Sequence, residues 1–300
     1  MVDRILITGS EGLVGRALSR VLARKGHDVA CLDLRAPEGR GRGDVRNAVD
    51  LGTAMHDCDG VVHLAAVSRV VHAERDPDLC WSTNVTGMQL LLDVARASSR
   101  KPWVLFASSR EVYGEPACLP VHEEAALAPV NVYGRSKVAG EEKTLGARQA
   151  GLRTAVVRLS NVYGGTNDHS DRVVPAFVSG ALSGRPLRVD GPDHTFDFTH
   201  LDDTVAGLVV MIEFLSQGAE LPPIHLVTGI PTTLMELARL AVEQAGRSAS
   251  VVEAPPRTYD VCRFVGDPER AAALLGWAPR IGIREGLTRM MNEVRQGSGT

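Results

Sequence analysis

The chain has 300 residues, 44% hydrophobic and 23% charged, which is apolar material enough for one large core or for a core domain with a smaller companion. Its net charge of −3 provides no broad cationic face, so neither nucleic acid nor a membrane surface is expected as a partner. The opening "MVDRILITGS" has no cationic leader followed by an apolar run and a cleavage site, and no apolar run approaches the roughly 20 residues of a membrane helix, so a cytoplasmic protein is expected.

In chain order, "RILIT" (residues 4–8) is a short apolar run that stops at a glycine-rich turn. Residues 13–25 carry apolar positions at helical spacing, "DVACLDL" ends in an acid, and "GVVHLAA" reads as a buried strand. Residues 78–99 read as one long helix, "WVLFASS" as a strand, 131–150 as a helix and "RTAVVRLS" as a strand. Strands alternating with helices of this length, and apolar throughout, predict an α/β fold: a Rossmann-type doubly wound parallel sheet with helices on both faces. Beyond residue 160 the texture changes. A polar, glycine-rich loop ("NVYGGTNDHSDR") leads to a helix over 173–182, the strand "PLRVDG", the "TFDFTHLDD" segment, a helix to about 216, the strand "PPIHLV", and two short helices split by Pro279. The expected organisation is a dinucleotide-binding domain over 1–160 with later segments interleaved, a smaller C-terminal α/β substrate lobe over 161–295, and a flexible tail over 296–300. Five scattered cysteines (31, 58, 80, 118 and 262) without C-x-x-C spacing fit reduced thiols, and nine histidines without an H-x-x-x-H pair suggest no metal site.

"TGSEGLVG" places Gly9, Gly12 and Gly15 between the first strand and the first helix. The three would allow a tight turn, close approach of a pyrophosphate to the helix N-terminus, and close helix–sheet packing. Asp33 ends the second strand, where a carboxylate can take both ribose hydroxyls of NAD and would repel the 2′-phosphate of NADP. Arg35 argues the other way, but with Asp33 present NAD is the expected cofactor. In "GDVRN", Asp44 precedes a helix, where an acid can cap it or can bond an adenine amino group; spacing does not separate these.

Tyr133 and Lys137 in "NVYGRSK" stand four apart on one helical face. An ammonium and a nicotinamide cation nearby would lower a phenol's pKa from its ordinary value of about 10, so that Tyr133 could act as a base. A serine at the end of the preceding strand would bond the same substrate oxygen.

The glycine triplet, Asp33, "HLAA", Asn84 in "NVTG", "SSREVYG", Tyr133, Lys137 and "RLSNVYG" occur in order, and with the ending "DPERAAALLGW" they resemble the extended short-chain dehydrogenase/reductase family of nucleotide-sugar epimerases and dehydratases over nearly the whole chain. The resemblance implies an NAD enzyme with Ser109, Tyr133 and Lys137 as its catalytic set. It implies pyrophosphate contacts at Leu13 and Val14, a ribose site at Asp33 with Leu34 and Arg35 beside it, and an adenine pair at Asp44 and Val45. Leu64, Ala65, Ala66, Ser68, Asn84, Ala107, Ser108 and Ser160 fall on cofactor-lining positions. A sugar-nucleotide diphosphate would meet Asn161, Arg188, Val189 and Arg257, with Arg110 and Glu111 beside the sugar. A homodimer through helices near 78–99 and 131–150 is also implied.

Two departures stand out. Phe196 occupies a place where many relatives have a phosphate-binding arginine. Arg110 occupies the place where 4,6-dehydratases have an acid that helps expel water, a task a permanently protonated guanidinium cannot perform. The expected function is therefore an NAD-dependent nucleotide-sugar 4-epimerase acting by transient oxidation at C4. Arg110 suits a carboxylate, so a uronic acid such as UDP-glucuronate is a candidate substrate; the other reading is that Arg110 pairs with Glu111 as structure. The alternatives are a decarboxylase or dehydratase of the same family, or a non-catalytic NAD-binding protein.

Overall fold

The structure, a computed structural model, describes residues 3–257 and 261–297. Its centre is a six-stranded, wholly parallel sheet of β1 (Arg4–Thr8), β2 (Asp28–Leu32), β3 (Gly60–His63), β4 (Trp103–Ser109), β5 (Thr154–Leu159) and β9 (Ile224–Leu226), in the spatial order β2-β1-β3-β4-β5-β9. Side-chain alternation feeds two cores. Ile5 and Ile7 face Leu18 and Leu22 of α1 (Leu13–Arg24) and Leu208 and Ile212 of α8 (Leu201–Ser216). Leu6 faces the other way, with Leu51 of α2 (Ala48–Ala54), Leu91 of α5 (Gly87–Ala97) and Ala147 of α6 (Val132–Gln149). Each strand is thus apolar on both faces because each face is covered. The chain leaves β1 toward β2 and returns past it to β3, so the strand order reverses between β1 and β3. Ligands of such sheets sit in the crevice at that point, outside the carboxyl ends of the strands.

The expected single helix over 78–99 is in fact α4 (Pro77–Trp81), a π-turn at Ser82–Thr86, and α5. Here the Gly87 N–H reaches back five residues to the Ser82 carbonyl, a distortion common at functional sites. Asn84 lies within it. A short α3 (Val70–Arg75), not anticipated, precedes it.

Beyond β5 come β6 (Asn161–Tyr163), α7 (Val173–Ser183), β7 (Leu187–Asp190), β8 (Thr195–His200), β10 (Pro231–Thr233), α9 (Leu234–Ala245), β11 (Val251–Ala254), β12 (Arg263–Phe264), α10 (Glu269–Leu275) and α11 (Ile283–Gly297). They form small sheets, with β8 bonded to β6, β10 and β12 and β7 to β11, around a separate core that includes Phe177, Phe198, Leu237 and Leu287. Segments of this half do interleave with the main sheet: β9 extends its edge and α8 packs on α1. The last helix is not short, spanning 15 residues. It takes residues 296 and 297, expected in the tail, into regular structure; the rest of the expected tail lies outside the described residues.

Candidate active site

The glycine turn closes onto β3's end. Gly9 is in a left-handed conformation (φ 72°), and a Cβ there would lie 2.6 Å from the Ala65 amide nitrogen; one on Gly15 would collide with the Gly9 carbonyl oxygen. Leu64 donates its amide to the Thr8 carbonyl at 3.2 Å, and Ala65 donates to Thr8 Oγ1 at 3.3 Å, so "HLAA" and the turn form one wall. Leu13 and Val14 open α1, whose cap residue Gly12 supplies no side chain and whose first turn holds no acid. Its N-terminal amides therefore face an anion without competition. Beside them the Ser10 hydroxyl is buried without a hydrogen-bond partner among the described residues. Asp33 accepts from the Glu11 amide (3.0 Å) and the Arg35 amide (2.8 Å), which anchors the carboxylate at the ribose end of the turn. These features fit a dinucleotide: small residues at the close approach, free amides for pyrophosphate and an acid for ribose. Arg35 leans on Asp33 (Nε to Oδ1, 3.4 Å), and Leu34 is exposed.

Other expected cofactor residues have tasks of their own. Asp44 does not cap α2; Asn47 does, accepting from the Val49 and Asp50 amides. The Asp44 carboxylate is instead held by Arg46 (2.6 Å), whose hydrogen bonds keep its pKa below the usual carboxylate value, while Val45 is buried in the core. Asn84 accepts from the Val67 amide (2.8 Å) and donates to Ser136 Oγ (2.9 Å), pinning the segment between Ala66 and the exposed Ser68 to Tyr133's helix. Ala107 lends its carbonyl to Lys137 Nζ at 2.7 Å. Ser160 donates to the Asp197 carbonyl. Ser108 points away from the catalytic set and gives its hydroxyl to Glu141 at 2.5 Å.

The three residues expected to be catalytic converge. Ser109 ends β4, and Tyr133 and Lys137 come from α6. Burial pushes the Tyr133 phenol up to about 12, a hydrogen bond with Ser109 pulls it down, and the Glu111 charge raises it. Lys137, also buried, is depressed to about 8 by desolvation, and its ammonium lies 5.7 Å from the Tyr133 ring centre. In the absence of the nicotinamide cation expected to act with Lys137, desolvation outweighs the neighbours.

Arg110 is surrounded. Its Nη2 meets Glu111 Oε1 at 2.8 Å, its Nε donates to Asn161 Oδ1 at 3.2 Å, and its guanidinium stacks 4.4 Å over the Phe196 ring. The pairing with Glu111 is therefore real, yet it is incomplete: Nη1 is buried with no partner among the described residues. Phe196, which sequence comparison marks only as a lost arginine, is a shelf for another arginine. Asn131 was missed as a site residue. Its Oδ1 caps α6 on the Gly134 amide (2.7 Å) and its Nδ2 donates to Glu111 (2.7 Å); an asparagine one residue before a helix was the available signal. Arg188 and Arg257 lie apart from this cluster, both on Asp190 (2.8 and 3.3 Å), and the Val189 side chain is buried in the second core.

A dinucleotide turn at the switch point of a parallel sheet, beside a Ser109–Tyr133–Lys137 cluster, defines a protein that carries out nicotinamide chemistry on an alcohol or ketone carbon. The sequence model of the NAD dependent epimerase/dehydratase family matches residues 5–224, and the chain belongs to that family, with NAD as its cofactor. It is 28% identical to a putative UDP-glucose 4-epimerase of Methanocaldococcus jannaschii, across 99% of this chain and 100% of that one. It is 30% identical to UDP-glucuronic acid decarboxylase 4 of Arabidopsis thaliana, across 98% of this chain and 69% of that protein. Among solved structures, MoeE5 in complex with UDP-glucuronic acid and NAD superposes with a TM-score of 0.88 at 26% identity, covering 98% of this chain and 99% of that one. Among the described residues no helix is long and apolar enough to cross a membrane.

Proposed function

We propose that the protein is a nucleotide-sugar 4-epimerase whose substrate is a uronic-acid nucleotide such as UDP-glucuronate. The observation that carries the uronate reading is Arg110: a partly buried guanidinium beside Ser109, braced on Phe196, whose buried Nη1 has no partner among the described residues. A carboxylate at C6 would supply the missing acceptor. Bound NAD would supply the hydride acceptor and donor by which the C4 hydrogen could leave one face and return to the other. Tyr133 removes the C4 hydroxyl proton and later gives it back. Ser109 hydrogen-bonds the same oxygen, and Lys137, tied to the Ala107 carbonyl, keeps a fixed positive charge behind the phenol. Asn161 reaches the site through Arg110, while Arg188 and Arg257 serve the diphosphate from the C-terminal lobe.

Glu111, the residue that keeps a decarboxylase reading in play, is already bonded to Arg110 and Asn131, which favours epimerisation over chemistry at C5. The same proposal includes a cytoplasmic homodimer through α4, α5 and α6; Leu79 and Trp81 of α4 are exposed large apolar side chains, as a covered face requires. The test is to incubate the protein with NAD and a panel of nucleotide sugars and read products by mass and NMR. Unchanged mass with C4 inverted in UDP-glucuronate is the expected result. Loss of carbon dioxide or of water, or turnover of neutral hexoses alone, would refute it.

A further inference from the structure

Glu111 is the residue on which the two halves of the site meet. It is 5% exposed and follows Arg110 in the single helical turn after β4. Four contacts fix it. Its amide donates to Ser109 Oγ at 3.2 Å. Its carbonyl oxygen lies against Gly134, where a Cβ would come within 2.5 Å, so only a glycine next to Tyr133 permits this approach. One carboxylate oxygen holds Arg110 Nη2 at 2.8 Å, and the other accepts from Asn131 Nδ2 at 2.7 Å. Asn131 is itself 1% exposed and its other amide atom caps the helix that carries Tyr133.

We infer that Glu111 is a positioning residue that couples Arg110 to Tyr133: one carboxylate oxygen aims the guanidinium, the other holds the cap of the base's helix. It is not itself a proton acceptor in the reaction, because both oxygens are committed to donors. The inference rests on Tyr133 as the base, but not on the identity of the sugar. A chain of this kind lets an anion bound at Arg110 act on the phenol. As Arg110 turns toward the anion, its hold on Glu111 loosens, and the less neutralised Glu111 charge weighs more heavily against the phenolate. The other groups around the phenol are Ser109 from β4, Lys137 on its own helix, Cys80 from α4 and Arg172 at the start of α7. Glu74 accepts from the Val132 amide on the outer side of the same helix start.

The first measurement needs no substrate. The chain has four tyrosines. Ultraviolet difference titration of the NAD-loaded protein, wild type minus Tyr133→Phe, isolates the Tyr133 phenol. Glu111→Gln keeps the acceptor for Asn131 and removes the charge, so the phenol's pKa is expected to fall by about one unit or more. Adding glucuronate-bearing nucleotide to the wild type is expected to move it the opposite way, upward, because the Glu111 charge is then less neutralised, and a neutral nucleotide sugar is not. An unchanged phenol pKa in Glu111→Gln overturns the coupling. A second variant, Asn131→Ser, keeps a competent cap but cuts the link to the carboxylate. Its NAD affinity and melting temperature should stay near wild type while kcat falls roughly tenfold or more at unchanged KM; wild-type kcat would likewise overturn it. A protein that shows the phenol shift but epimerises nothing loses the proposed function and keeps this inference.

Discussion

Two arginines, Arg158 buried and Arg110 partly buried, each paired with a glutamate, sit near the end of β4. Arg158 of β5 uses all three nitrogens: Nε and Nη2 grip Glu141 at 2.9 and 2.6 Å, and Nη1 donates to the Tyr113 hydroxyl (2.6 Å) and the Glu123 carbonyl (2.7 Å). Tyr113 continues to His225 at 2.6 Å, and Ser108 fills a further lone pair of Glu141. Burial opposes charge on Arg158, but the Glu141 hydrogen bonds win and hold its pKa above the ordinary guanidinium value. Arg110 also has a glutamate, yet one of its nitrogens has no partner among the described residues. Under the proposed function, the difference separates structure from recognition. A saturated buried ion network stabilises one arrangement of β4, β5 and α6, whereas an unsaturated one carries a standing desolvation cost that only an incoming acceptor relieves.

The same conservative substitution tests that contrast from both ends. Arg158→Lys forfeits the two-pronged grip on Glu141 and strands Tyr113 and the Glu123 carbonyl. We expect a loss of about 2–4 kcal/mol in urea unfolding, with no change in which sugar is preferred by the remaining folded enzyme. A third buried cation, Lys137, lies between the two cases, with one carbonyl as its hydrogen-bond acceptor. Its folded pKa of about 8 lies below the ordinary 10.5, so the folded state binds fewer protons between those values and stability rises with pH across that window. Below about 8 the full cost of the buried ammonium is present. In the cofactor-free protein Lys137→Met should therefore be more stable than wild type at pH 7, by up to about 3 kcal/mol, with the gain shrinking as pH climbs toward 10.5 while epimerisation is lost. A pH-independent difference would show that the lysine's charge is not what the fold tolerates at a cost.

Arg110→Lys keeps a cation but gives up planar, two-pronged geometry. Turnover of a uronate (kcat/KM) should fall roughly 10- to 100-fold relative to a neutral hexose, a change of about 1.5–3 kcal/mol in one contact. Equal losses on both substrates would return Arg110 to a structural role like that of Arg158. Ser108→Ala, the smallest change, removes one donor from Glu141 and should cost about 1 kcal/mol with kcat retained. A large fall in kcat would instead place Ser108 in the reacting set with Ser109.

The glycine turn, Asp33, and the Ser109–Tyr133–Lys137 set are legible in the chain because each depends on local rules: a strand, a turn that only glycine permits, and two residues four apart on a helix. The parallel sheet follows from the same alternation of apolar runs. The π-turn at Asn84 is invisible at that level, since the residues around it keep an ordinary helical pattern and the distortion is selected by bonds to Val67 and Ser136, from a distant loop and another helix. The sorting of Ser108 from Ser109 follows from strand alternation once β4 is placed between two covered faces, but only the partner across each face, Glu141 or Tyr133, shows which hydroxyl the proposed mechanism would use. The meaning of Arg110 was likewise out of reach. Asn161, Phe196 and Asn131 reach it or its glutamate from β6, β8 and the start of α6, and their distances along the chain carry no trace of that meeting. What the sequence determined by itself was the inventory of the chemistry, because spacing within one strand or helix fixes which groups share a face. The tertiary structure alone decided which of those groups are already satisfied and which are left wanting a ligand, because hydrogen bonds and desolvation are settled between elements, not within them.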